Sequence, residues 1–145
     1  MFNHILMPTD GSETSKKIIQ DCLALAKSTG ARVTGIHVIP EFHIFTYQTE
    51  MLEDTREQFS RDSITQAKKY LEEIENAAKE AHVKCDTVYV VDDNPYEAII
   101  KTAEREKCDL IAMASHGRKG LKGLLLGSEA QKVLTHSQIP VLIFH

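Results

Sequence analysis

Cysteine is scarce in this chain. Cys22, Cys85 and Cys108 are the whole complement, an odd number with no CxxC pair. That argues against a disulfide framework and predicts buried free thiols in a reducing compartment. The seven histidines include no H-x-x-x-H pair, so a metal site made wholly of protein ligands is not expected. No uninterrupted apolar run approaches the roughly 20 residues that span a bilayer. The opening Met1–Pro8 lacks a basic leader and soon meets Asp10, so no signal peptide is read and a cytoplasmic location is the default expectation. Positive charge is in deficit, with 17 basic against 21 acidic residues and a net charge of -4. Broad nucleic-acid binding, driven by phosphate neutralisation, is thereby disfavoured. There is no internal repeat, low-complexity tract or linker. Neither the dinucleotide fingerprint G-x-G-x-x-G nor the P-loop G-x-x-x-x-G-K-[ST] occurs.

What is present is ordinary in amount and regular in order. The 145 residues are 42% apolar and 26% charged, which suits one domain over 1–145 with a real core. Ile5-Leu6-Met7 reads as a short strand, and Ser12 to Thr29 as a helix closed by Gly30. Arg32 to Ile39 is β-branched and ends at Pro40; Met51 to Ala81 carries a long helical period. Lys84 to Val91 is a third strand. Asn94-Pro95-Tyr96-Glu97 then has the form of a capping box with proline in the first turn, predicting a helix to about Lys107. Asp109 to Ala114, Ser128 to Thr135 and Ile139 to Phe144 complete the series as strand, helix and strand. Such alternation predicts a parallel sheet covered on both faces. The long connection after Pro40 carries Phe42, His43, Phe45 and Tyr47, either packed over a helix or partner chain or forming a lid.

In an open parallel sheet, ligands collect outside the carboxyl ends of the strands. Three segments should meet there: Pro8-Thr9-Asp10-Gly11, the strand end near Val38, and the loop after Met113-Ala114-Ser115-His116-Gly117. The last runs through nine residues to Gly127-Ser128 and a helix start. Helix N-terminal amides lack intrahelical partners and favour anions, and glycine admits a phosphate closely. Asp10-Gly11-Ser12-Glu13 and Ser128-Glu129-Ala130-Gln131 both fit capping boxes. Asp10 is thus a cap, a ribose or metal-facing carboxylate, or both; Ser128 is a cap, a phosphate ligand, or both. His116 is a site residue or a plain loop histidine. Arg118 could meet phosphates, and Lys119 and Lys122 extend a small basic patch.

The whole chain resembles the universal stress proteins. Ile5-Leu6-Met7-Pro8-Thr9-Asp10-Gly11-Ser12 resembles that family's opening, Gly35-Ile36-His37-Val38-Ile39 its second strand, and Gln138-Ile139-Pro140-Val141-Leu142-Ile143 its last. Gly117, Gly127 and Ser128 match the family's nucleotide motif G-x2-G-x9-G-[ST], with Ala114 in place of the first glycine. The resemblance implies the ATP-binding branch. It also implies a Rossmann-like, adenine nucleotide alpha hydrolase-like fold: an open five-stranded sheet of order 3-2-1-4-5. Pro8, Thr9 and Asp10 would flank adenine and ribose, Val38 would meet the adenine edge, and Met113 to Gly117 would run beneath the nucleoside. Gly117, Arg118, Gly127, Ser128 and Glu129 would serve the phosphates. A homodimer through the C-terminal strand is also implied, as is a stress-response role whose downstream protein partner the sequence does not name.

The reading that follows is a nucleotide-dependent sensor or regulator binding ATP or AMP, with Mg²⁺ or Mn²⁺ arriving, if at all, on the phosphates. The competing readings are a slow ATPase or adenylyl-transferring enzyme, and a nucleotide-free interaction protein in which Ala114 disables the loop. Asp10 and His116 are the only obvious catalytic candidates near that loop, and no lysine holds a P-loop position. No catalytic residue is assigned.

Overall fold

The computed structural model describes residues 1–43, 49–116 and 126–145, with side chains in the second helix described from Thr55 onward. The chain alternates β1 (His4–Pro8), α1 (Glu13–Thr29), β2 (Arg32–Ile39), α2 (Thr49–Glu80), β3 (Cys85–Val91), α3 (Pro95–Arg105), β4 (Leu110–Ala114), α4 (Ser128–His136) and β5 (Val141–Phe144). All strand pairs are parallel, in the order β3-β2-β1-β4-β5, as the resemblance implied.

Strand parity sorts the core into two layers. Ile5 and Met7 of β1, Val33 of β2 and Leu110 and Ala112 of β4 face α1 and α2, where they meet Ile19, Cys22, Leu23, Leu71 and Ile74. Leu6, Ile36, Ile111 and Met113 face α3 and α4, against Ile99, Ala103, Ala130 and Val133. Adjacent residues of a strand point to opposite faces, so a strand covered on both sides is apolar throughout. Ile5, Leu6 and Ile111 are fully buried. Each contributes about 1.5–3 kcal/mol by leaving water.

The helix ends follow local chemistry. α1 is capped by Ser12, whose Oγ accepts the Ser15 N–H, and it stops at Gly30 in the left-handed region at φ 72°. The capping box read at Asn94 is not formed. Pro95 does begin α3, but the Asn94 side chain makes no cap hydrogen bond. Its backbone N–H instead donates to Asp92 Oδ1 in an Asx turn. β5 starts at Val141, two residues after the predicted Ile139, because Pro140 precedes the ladder and lends only its carbonyl to Ile111 N–H. The three thiols are free; Cys22 and Cys108 are buried, whereas Cys85 is half-exposed rather than buried. Burial pushes the Cys22 thiol up to about 12.

One polar network ties the start of β1 to both its neighbours. His4 is buried, with Nδ1 donating to the Glu106 carbonyl at 3.1 Å and Nε2 accepting from the Thr34 hydroxyl at 2.7 Å. Those bonds suit the neutral ring. Burial, with Arg32 nearby, holds the His4 pKa below its ordinary value. The Asp109 carboxylate accepts the Asn3 and His4 amides; burial opposes its ionisation, but those bonds outweigh it and lower its pKa. In both cases the unfolded chain takes up protons first as pH falls. His4 stabilisation is therefore complete above about pH 6.5 and is lost as pH drops through its folded pKa; Asp109 adds a second loss starting below about pH 4. Urea denaturation between pH 8 and pH 4 should show the first decline in the wild type and a shallower one in His4→Gln.

Candidate functional site

At the carboxyl edge of β1 the chain turns through Pro8–Asp10 into α1. Thr9 N–H continues the ladder onto the Ile36 carbonyl at 2.8 Å, and the Thr9 carbonyl accepts from His37 Nδ1 at 2.9 Å. Gly11 N–H donates to Thr9 Oγ1 at 3.1 Å. Asp10 is not the N-cap that its sequence box suggested; that place falls to Ser12. Asp10 Oδ1 instead accepts the Ser12 N–H and the Ser15 hydroxyl, each at 2.9 Å. The carboxylate thus sits against the positive end of α1 and orders the whole turn.

The loop after β4 is closed at its base. Ser115 N–H donates to the Phe144 carbonyl, extending the pairing with β5, while the Ser115 carbonyl accepts from Gly127 N–H. The two ends of the glycine loop therefore meet. Gly117 and Arg118, both assigned to the site, lie outside the described residues, as do Lys119 and Lys122. α4 is capped by Gly127 (φ -70°, ψ 161°), not by Ser128, which is the first helical residue and exposed. Glycine has no side chain to cap with, so among the described residues no side-chain hydrogen bond closes this terminus. The amides of Ser128, Glu129 and Ala130 have no acceptor within the helix.

Two further features set the character of this edge. His116 Nδ1 lies 3.1 Å from Ser115 Oγ, while its buried Nε2 has no hydrogen-bond partner among the described residues. A buried polar atom left alone costs about 1–3 kcal/mol, so this one calls for a partner, which a ligand atom or a residue outside the described ones would supply. Pro8, Val38 and Met113 lie at positions of one parity, on the α3/α4 side of the sheet edge. Val38 and Leu126 are half-buried there and pack, with Met113, into that side of the core. Leu126 was missed because a residue in the Leu124–Leu126 run reads as generic core; its place beside Gly127 was the available signal. Ala114 pairs with Phe144 as ordinary strand, and it is not among the positive-φ residues. Its methyl therefore carries no backbone strain, and the missing motif glycine is not demanded by φ.

Glu129 has a structural task. Its Oε2 accepts the Tyr96 N–H at 3.0 Å, so a side chain of α4 caps the start of α3 from outside, where Asn94 does not. Lys132 pairs with the other oxygen at 3.5 Å and lies 5.6 Å over the Tyr96 ring.

The connection after β2 behaves differently. Phe42 packs on Phe59 of α2 with ring centroids 5.2 Å apart, as the helix-covering alternative has it for that residue, while Phe45 and Tyr47 lie outside the described residues. A concavity of about 380 Å³ opens here, between Ile39, Phe42, Arg56, Phe59, Ile64 and Val91. Ile39 and Val91 put it on the α2 face, away from the glycine loop. Glu41, His43 and Asp93 bring three potential metal-ligand atoms within 4.8 Å of one another. All three are exposed, and His43 Nε2 already bonds Asp93 Oδ2 at 2.5 Å, so the group serves as a polar clasp between two loops.

A family model described as "Universal stress protein family" matches residues 1–145. The chain belongs to the universal stress protein family. Universal stress protein YxiE of Bacillus subtilis is 33% identical over 147 residues, covering 99% of each chain. Universal stress protein MJ0577 of Methanocaldococcus jannaschii is 31% identical over 154 residues, covering 99% of this chain and 94% of that protein. The solved MJ0577 structure superposes with a TM-score of 0.84 at 33% identity over 99% and 95% of the two chains. The universal stress protein from Archaeoglobus fulgidus, solved in complex with dAMP, has a TM-score of 0.71 at 16% identity over 100% and 98% of the chains. The fold is thus the family's adenine nucleotide alpha hydrolase-like one. None of the described helices is long and apolar enough to cross a membrane.

Glu129→Ala should cost about 1 kcal/mol of stability, the loss of a half-buried cap, with Glu129→Gln intermediate because an amide oxygen still accepts. Urea midpoints of the three proteins test this; equal midpoints would mean that the α3 terminus is satisfied otherwise.

Proposed function

We propose that this universal stress protein is an adenine-nucleotide-binding regulator of the family's ATP-binding branch, taking ATP or AMP at the carboxyl edge of β1 and β4. The observation that carries this reading is the closed base of the glycine loop. The Gly127-to-Ser115 hydrogen bond brings a helix N-terminus whose cap residue has no side chain next to the residue preceding His116, whose buried Nε2 lacks a partner among the described residues. In this reading, Gly127, Ser128 and Glu129 serve the phosphates through amides and the Ser128 hydroxyl, with Gly117 and Arg118 assigned beside them. Pro8, Val38 and Met113 offer an apolar floor for adenine, and Thr9 and Asp10 flank the ribose. Ala114, Ser115 and His116 run beneath the nucleoside. Mg²⁺ or Mn²⁺ belongs to the proposal only as a companion of the phosphates. The dAMP complex of the Archaeoglobus fulgidus protein is a fact about that protein. At 16% identity it carries the fold, and the ligand here rests on the loop.

Binding is favoured over turnover. Phosphoryl transfer needs a positioned base and concentrated positive charge. Asp10 Oδ1 is committed to two donors at the α1 terminus and Glu129 to the α3 terminus. A slow ATPase remains the second reading, and a nucleotide-free interaction protein the third. The ordinary strand backbone at Ala114 weighs against the third. A cytoplasmic homodimer joined along β5 completes the proposal. β5 is an edge strand, Val141 and Ile143 pack inward on the α4 side, and Leu142 is 36% exposed. An open apolar edge of this kind favours pairing with a second copy.

Calorimetric titration with ATP and AMP, with and without Mg²⁺, should give one site per chain with a dissociation constant on the order of 1–10 µM. No heat and no thermal shift at millimolar nucleotide would overturn the proposal in favour of the interaction protein. Gly127→Val should weaken ATP binding at least about tenfold by filling phosphate space. Since φ -70° and ψ 161° suit valine, the backbone adds no strain, and the unfolding midpoint measured alongside separates lost binding from lost fold at this buried position. Leu142→Glu should yield monomers by light scattering, and a persisting dimer would place the seam elsewhere.

A further inference from the structure

The β1–α1 turn is held from the far side of the sheet. Gly11 has φ +77°, and a Cβ built there would lie 2.3 Å from the Cε1 and Cζ atoms of Tyr70 on α2. The Tyr70 ring thus lies directly on the glycine backbone, an approach that no other residue type permits. The same ring meets His37 edge-on, centroids 5.2 Å apart at 69°, and His37 Nδ1 donates to the Thr9 carbonyl at 2.9 Å. His37 is the β2 neighbour of Val38, but parity turns it to the α2 face while Val38 faces α3 and α4. A tyrosine of α2 and a histidine of β2 therefore brace Thr9, Asp10 and Gly11 from beneath, with no place of their own in the nucleotide site.

We propose that His37 and Tyr70 are positioning residues for the adenosine end of the site, fixing the β1–α1 turn that carries Thr9 and Asp10. This rests on the nucleotide reading above and adds the residues that preorganise it. A loop held in its bound conformation loses less conformational freedom on binding, so the brace contributes to affinity without touching ligand. The phosphate end has its own support in the Ser115–Gly127 clamp, and loosening the brace should leave that clamp intact.

Two measurements on His37→Ala and Tyr70→Leu test the assignment: hydrogen–deuterium exchange of the ligand-free protein, and calorimetry with ATP. Exchange should rise in peptides covering residues 8–12 and stay unchanged in those covering 126–136, while the ATP dissociation constant rises about tenfold. His37→Asn, which keeps a donor near the Nδ1 position, and Tyr70→Phe, which keeps the ring, should restore both readouts. If Tyr70→Leu does not fold, His37→Ala and its asparagine rescue carry the test. Raised exchange at residues 8–12 with unchanged ATP affinity would overturn the inference and leave the nucleotide reading standing. Unchanged exchange would overturn it as well. A wild-type protein that binds no ATP would remove the nucleotide reading and this inference with it.

Discussion

The sealing of β1 on both faces is the constraint on which the rest depends. Ile5, Leu6 and Met7 are almost wholly buried, Ile5 and Met7 under α1 and α2, Leu6 under α3 and α4. With β2 on one side and β4 on the other, β1 has no freedom to slide, because a one-residue slip would carry each apolar side chain to the wrong layer. Parallel strands also need crossovers that return over the faces. Every strand's exit then lies along one edge, and the exits of the central strand β1 and its neighbour β4 carry the Pro8–Asp10 turn and the glycine loop. The candidate site is a consequence of packing before it is a matter of chemistry.

Much of this architecture was legible in the chain because it depends on composition and period. The β-branched run Arg32–Ile39 emerged as β2 with those bounds, and the long period predicted for 51–81 became α2 at Thr49–Glu80. Gly30 ended α1 as its lack of a Cβ suggests. The sheet order came from the family resemblance, since strand–helix alternation alone fits several orders. What the sequence hid was the far side of the turn. Tyr70 looked like one more apolar position on α2 and His37 like one more strand residue; only the crossing of α2 over β2 brings them onto Gly11.

The capping boxes illustrate a different limit. Asp10, Asn94 and Ser128 each stood in a valid pattern, and none of the three caps its helix with its side chain. A box is satisfied by any polar residue with a suitable partner three positions on, and neighbours compete for the role. Ser12 won over Asp10 because its hydroxyl reaches Ser15 N–H, and Glu129 reached across from α4 to the terminus that Asn94 left open. At Ser128 a shift of one residue alters the chemistry. As a cap its hydroxyl would have satisfied an amide of the first turn; with Gly127 as cap, that turn has no acceptor from its own cap side chain, the arrangement an anion site would need.

Of the two catalytic candidates that sequence reasoning offers, Asp10 and His116, the fold uses Asp10 for support, and it does the same with two neighbouring polar side chains. Asp10 braces α1, Glu129 braces α3, and His37 holds the Thr9 carbonyl. What remains at the edge is backbone donors, a serine hydroxyl, one buried imidazole nitrogen and an apolar floor. Such a set would complement a phosphate and a flat base at fixed positions, and among the described residues it offers no charged group poised to move a proton. Net charge is -4, so the overall field would not draw a nucleotide in, and recognition at this edge would rest on short-range fit and local charge. A site of that kind would gain affinity from preorganisation, so the half-buried His37 and Tyr70 behind the turn would bear on it as well as the residues in front.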